Sequence, residues 1–164
     1  MKPILAGLAV LWTTQAHALQ CLRPDPVRSF QAAMAAPDTY VVLRGTVAEA
    51  EVLIPLPNDK TQPHPVPVWF IGDILTSAGF TDSMETPMTV QITCTGPWCG
   101  AMLPETPMIA FARVQAGGYV IDAGPCATWV FQPDPLIEAL LTSCIRGDAC
   151  VPAGTTDQSM IGSD

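Results

Sequence analysis

Hydrophobic positions recur along this chain with two periods, and each stretch predicts its own kind of element. Beyond Cys21, the pair Asp25-Pro26 is followed by Val27, Phe30, Ala33 and Met34. That spacing predicts a helix capped by Asp25, opened by proline at its first position and stopped by Pro37. Tyr40 to Val47 reads YVVLRGTV, a β-branched run that predicts a strand with Val41, Leu43, Gly45 and Val47 on one face, coiling on to Ile54. Glycine inside a strand marks a bulge or a sharp bend, which is the expectation for Gly45. Residues 55–67, PLPNDKTQPHPVP, hold five prolines and predict an exposed, extended loop.

A second strand is predicted from Val68 to Leu75, then a turn within Gly79 to Pro87, then a third strand from Met88 to Thr93. In that third strand Val90 and Ile92 face inward while Thr89, Gln91 and Thr93 face out. Cys94 to Cys99 closes a tight loop, Met108 to Gln115 makes a fourth strand, Ala116-Gly117-Gly118 a hairpin turn and Tyr119 to Asp122 a fifth strand, with a short extension over Trp129 to Phe131. Asp134-Pro135 caps a last helix with Leu136, Leu140, Leu141 and Ile145 as its apolar stripe, Arg146 at its negative end and Gly147 as its stop. Five strands bracketed by two helices predict a mainly β fold, a small five-stranded Greek-key (OB-like) barrel, because closure removes exposed edges. A sandwich is the competing arrangement.

The first eighteen residues stand apart. Lys2, an apolar run from Pro3 to Trp12, and Ala16-His17-Ala18 have the order of a secretory signal peptide cleaved after Ala18. The apolar run is about 10 residues, where roughly 20 are needed to span a bilayer. A lipid anchor needs a small residue before its cysteine, and Gln20 precedes Cys21. The expectation is therefore a secreted or periplasmic protein without a membrane span. Residues 19–152 form its single domain, and residues 153–164, rich in Gly, Ser, Thr and Asp, form a disordered tail. No repeat of 20 to 50 residues is visible.

Composition narrows the partners. Of 164 residues, 49% are hydrophobic and 13% charged, enough for one compact core. Without Lys2 the chain has six Lys and Arg against fifteen Asp and Glu, a net charge of −9. Arg23, Arg28, Arg44, Arg113 and Arg146 are scattered singly, so neither a nucleic-acid face nor an anionic membrane face is formed.

Six cysteines in an exported chain predict structural disulfides. Spacing favours Cys94 with Cys99 and Cys144 with Cys150, leaving Cys21 and Cys126 to close a long loop, one of 15 possible pairings.

Each candidate chemistry has a plainer structural reading beside it. His64 is the one histidine of the mature chain, set between prolines, where it lacks both a packed nucleophile and fellow zinc ligands. Cys94-Thr-Gly-Pro-Trp-Cys99 has four residues between its cysteines, where a redox-active pair has two, and reads first as a staple. Trp98 is expected to pack on the barrel mouth, the alternative being a partner-facing anchor. Glu49 with Glu51 on a strand, and Asp82 with Glu85 in a turn, are acids at the density of an acidic surface rather than a hydrolytic pair. Trp69 and Phe70 must point oppositely on a strand, and the terminal helices are expected to cover the outward one. No catalytic residue, metal ligand or cofactor is assigned.

A cysteine shortly after the leader, a helix from Asp25, YVVLRGTV, five strands, a cysteine after the fifth and a final helix with cysteines resemble the netrin-like and tissue-inhibitor-of-metalloproteinases class, including its secreted bacterial modules. The resemblance spans Cys21 to Cys150 and implies a disulfide-linked OB barrel. In the inhibitors the first mature residue is a cysteine whose amine and carbonyl chelate the protease zinc. Here Leu19 and Gln20 precede Cys21, so that mechanism does not carry over with the fold. The leading expectation is a monomeric, non-enzymatic binding module whose loops 55–67 and 95–107 meet a protein or envelope partner. A thiol-disulfide oxidoreductase using Cys94 and Cys99, and a protease-inhibitor-like module, are the alternatives.

Overall fold

A computed structural model describes residues 20–48 and 61–152. The leader 1–18, Glu49 and Glu51, the reach to Ile54, residues 55–60 and the tail 153–164 lie outside the described residues.

Helix α1 spans Pro26–Ala35. Asp25 accepts the Val27 and Arg28 backbone N–H groups at 2.9 and 3.0 Å, satisfying donors that have no partner inside the helix. Five strands follow and close on themselves: β1 (Tyr40–Ala48), β2 (His64–Thr76), β3 (Gly79–Ile92), β6 (Met108–Gln115) and β7 (Gly118–Ala123). Their order is β1-β2-β3-β7-β6, and β6 pairs with β1 again. Only β3 and β7 run parallel, the others being antiparallel. This is the OB-like Greek-key barrel, not the sandwich. Between β3 and β6 sits a small hairpin, β4 (Cys94–Thr95) and β5 (Trp98–Cys99). After β7 a two-residue strand, β8 (Val130–Phe131), adds to β6, and α2 (Pro135–Arg146) ends the domain.

Alternation along β6 explains how barrel and helices share one scaffold. Met108, Ala110 and Ala112 join Leu43, Phe70 and Val90 inside the barrel. Ile109 and Phe111 point the other way, under Val27, Phe30 and Leu141 of the helices. All five of these β6 residues are buried, so the strand reads as a continuous apolar run. Arg44 fastens α2 to the barrel: it donates to Asp73 of β2 at 2.7 Å and to Glu138 of α2 at 2.8 Å. Its guanidinium also lies 5.1 Å from the Phe80 ring centroid.

Three disulfides hold the domain together: Cys21–Cys126, Cys94–Cys99 and Cys144–Cys150.

Several expectations need correction. The segment from His64 to Pro67 belongs to β2, not to an exposed loop. The described part of β1 pairs with β2 only as far as Ala48 opposite Trp69. Among the described residues Pro65 and Pro67 pair with β3, and each lacks the N–H that a ladder requires of other residues. The turn into β3 is Ser77-Ala78, with Gly79 at φ +102°, and Thr81 to Pro87 already lie in the strand. Among the described residues Pro87 sits where β3 has only β2 beside it, because β7 joins from Met88 onward. β3 ends at Ile92, one residue before the expected Thr93.

Gly45 is not at a bulge, since its register with Gly72 is regular; the irregularity in β2 falls between Ile74 and Leu75. On α2 the face turned inward runs through Ile137, Leu140, Leu141 and Cys144, while Leu136 and Ile145 are exposed. Cys144 is as apolar as the leucines and shifts the stripe by a residue. Met34 of α1 is likewise exposed, because that helix turns Ser29 inward to donate to the Thr128 carbonyl.

Candidate interaction surfaces

The outer face of β2 and β3 is the first candidate. Period-two alternation sends Val68 and Phe70 into the barrel and Trp69 and Ile71 out of it. Phe70 is fully buried, whereas Trp69 is 36% and Ile71 48% exposed. The terminal helices therefore do not cover Trp69; they pack over β6, β8 and the far end of the β2–β3 hairpin. Glu85 stands opposite Ile71 and Pro87 opposite Trp69. The Trp69 indole N–H donates to Glu85 at 3.1 Å, so the ring is held in one orientation on a rigid strand pair.

Hairpin β4–β5 and the loop after it form a second candidate. Cys94 faces Cys99 and Thr95 faces Trp98 across a turn with Gly96 at φ +60°. Trp98 is 52% exposed and is not among the residues packed on the barrel core. Gly100 leaves this hairpin hard against β7. A Cβ there would lie 1.9 Å from the Ala123 carbonyl oxygen, while its N–H donates to Thr93 at 2.9 Å. Met102 then turns into the barrel core and Leu103 turns out, 65% exposed. A hollow of about 170 Å³ opens between this loop and Val130 to Gln132.

The third candidate is polar. A concavity of about 270 Å³ is lined by Thr93, Thr95, Asp122, Gly124, Pro125, Cys126, Thr128 and Trp129. Asp122 accepts two bonds from Arg113, at 2.8 and 3.0 Å. That hydrogen-bonded pairing is the main reason the Arg113 pKa rises above its ordinary value, burial opposing it. Trp129 stacks on Tyr40 with ring centroids 5.2 Å apart, and burial raises the Tyr40 phenol pKa. Sequence reasoning missed this hollow because its residues come from two distant stretches, 93–95 and 122–129, that only the pairing of β3 with β7 brings together.

Residues considered for catalysis do not assemble. His64 is the first residue of β2, half-buried, opposite Ile92. Asp82 and Glu85 lie in β3 rather than in a turn, and three positions apart on a strand they face opposite sides. Among the described residues no group of three or more His, Cys, Asp or Glu side chains is placed to hold a metal ion. No described helix is long and apolar enough to cross a membrane. Comparison with protein-family models, curated proteins and solved structures returns no match.

Proposed function

We propose that this chain is an exported, non-enzymatic binding module, and that it meets a protein or envelope partner through the outer face of β2 and β3. One observation carries the reading: Trp69 and Ile71 are adjacent outward positions on a barrel strand, both left uncovered, with the indole fixed by Glu85. Fixed aromatic groups lose little freedom on binding and supply much of the contact energy of interfaces. The second and third strands of OB barrels are a general binding face, and here that face carries acids rather than cations, which disfavours nucleic acid. Trp98 and Leu103 extend the same role to the loop 95–107.

Three disulfides support export to an oxidising compartment, and amino-terminal sequencing of the secreted protein is expected to begin at Leu19. The strand order and the Cys21–Cys126 link support the netrin-like reading of the fold.

Site-specific photo-crosslinking in producing cells tests the binding role. A photoreactive phenylalanine analogue replacing Ile71 is expected to give a discrete adduct, and the same analogue replacing the exposed Arg28 of α1 is not. No adduct from position 71, or equal labelling from both, overturns the proposal.

A further inference from the structure

We infer that the concavity beside the Cys21–Cys126 disulfide is a binding site for one neutral saccharide unit, independent of the β2–β3 face. Its shape is fixed from three sides. The disulfide ties the segment before α1 to one wall at Cys126. Tyr40 stacks on Trp129 and Phe111 meets it edge-on, with centroids at 5.2 and 6.0 Å. Arg113 grips both oxygens of Asp122.

The functional groups select the ligand. The Thr93 and Thr95 hydroxyls make no hydrogen bond among the described residues, and Thr128 donates only to the nearby Cys126 carbonyl. Each hydroxyl can both donate and accept. Asp122 keeps acceptor capacity after its two bonds to Arg113, since a carboxylate offers about four acceptor positions. Its charge is already compensated, so it receives hydroxyl protons without demanding a cation. Among the described residues no Lys or Arg side chain lines the hollow, so this lining offers an anion no cationic partner. Trp129, one face of which is stacked on Tyr40, lines the hollow and adds apolar surface to it. A group that alternates donor and acceptor hydroxyls around an apolar ring face fits this set, and about 270 Å³ accommodates one such ring. Preformed concave sites with a few convergent polar groups are the usual form of small-ligand sites.

A free sugar and the terminal unit of a glycan share this chemistry, and the test separates them. The disulfide-intact, isotopically labelled protein is titrated with D-glucose, N-acetyl-D-glucosamine and their linear trimers, following backbone amides and indole N–H groups by NMR. Saturable shifts are expected at Thr93, Thr95, Thr128 and the Trp129 indole, with the Trp69 and Trp98 indoles unmoved. Tighter binding of a trimer than of its monomer assigns the site to a glycan, and equal binding assigns it to the free sugar.

Thr95→Val lies on the exposed hairpin and is expected to leave the spectrum otherwise native while weakening binding about fivefold, the value of one hydrogen bond. Glucosamine, the cationic analogue, is expected to bind no better than glucose. Absence of saturable shifts with all four sugars overturns the inference. So do shifts confined to Trp69 or Trp98, unchanged affinity in Thr95→Val, or marked preference for glucosamine.

Discussion

Gly45 and Gly72 face each other across β1 and β2 with no room for a side chain on either. A Cβ on Gly45 would sit 2.3 Å from the Ile71 carbonyl oxygen and 2.8 Å from the tip of the Phe70 ring, and a Cβ on Gly72 would meet Arg44 and Phe70 as closely. The absence of a Cβ at both positions lets the two strands approach and the Phe70 ring lie against them. Gly45→Ala is therefore expected to cost about 3 kcal/mol, the upper range for overpacking, since backbone rather than a flexible side chain must give way. Denaturant unfolding measures this. A cost below about 1 kcal/mol would show that the strand pair relaxes freely.

The disulfides are expected to rank by the loop each closes. Cys21–Cys126 spans 105 residues, while Cys94–Cys99 and Cys144–Cys150 span 5 and 6. In the chain-entropy account the long closure contributes about 4–5 kcal/mol and each short one about 2 kcal/mol. Paired Cys→Ser variants, compared by thermal unfolding, check the order. Equal losses from all three would mean that native-state contacts, rather than loop length, set the values.

Tyr40 gives the domain an alkaline limit. Burial is the main reason its pKa lies above the ordinary 10.0; Arg113 opposes the rise, and Asp122 and Asp38 add to it. The folded state thus holds this proton at pH values where the unfolded chain has released it. Stability from the neutral phenol is complete below pH 10 and is lost as pH rises through the folded-state value. Between about pH 9 and about pH 11 the wild type is expected to lose more stability than Tyr40→Phe, read from urea midpoints. Parallel losses would place the alkaline limit elsewhere.

Local signals in the sequence were legible where the physics is local. Asp25 and Asp134 cap their helices, and β6 spans Met108–Gln115 as its sequence pattern predicts. The long extent of β2 and β3 was hidden by Pro65, Pro67 and Pro87, which look like breakers yet all lie within the β2–β3 pairing. The inward face of α2 was offset because Cys144 was counted as a bridge and not as core. Candidate surfaces were harder still. Whether Trp69 is covered depends on where two helices at opposite ends of the chain dock. Thr93, Asp122 and Thr128 share a concavity only because β3 and β7 lie side by side.

Neighbours in sequence, Trp69 and Phe70 are expected to separate stability from binding. Phe70 is fully buried among Leu43, Val90 and Ile121 inside the barrel, and Phe70→Ala should cost about 3–5 kcal/mol by leaving a cavity the closed strands cannot collapse around. Trp69 is 36% exposed and holds one hydrogen bond to Glu85, so Trp69→Ala should cost no more than about 1 kcal/mol. Urea unfolding of the two variants decides the stability half. Crosslinking from position 71 in the Trp69→Ala background decides the other: the adduct is expected to disappear while the fold persists. A Trp69→Ala protein as unstable as Phe70→Ala would make the outward indole a structural support, and the face it stands on would lose its claim to be a binding surface.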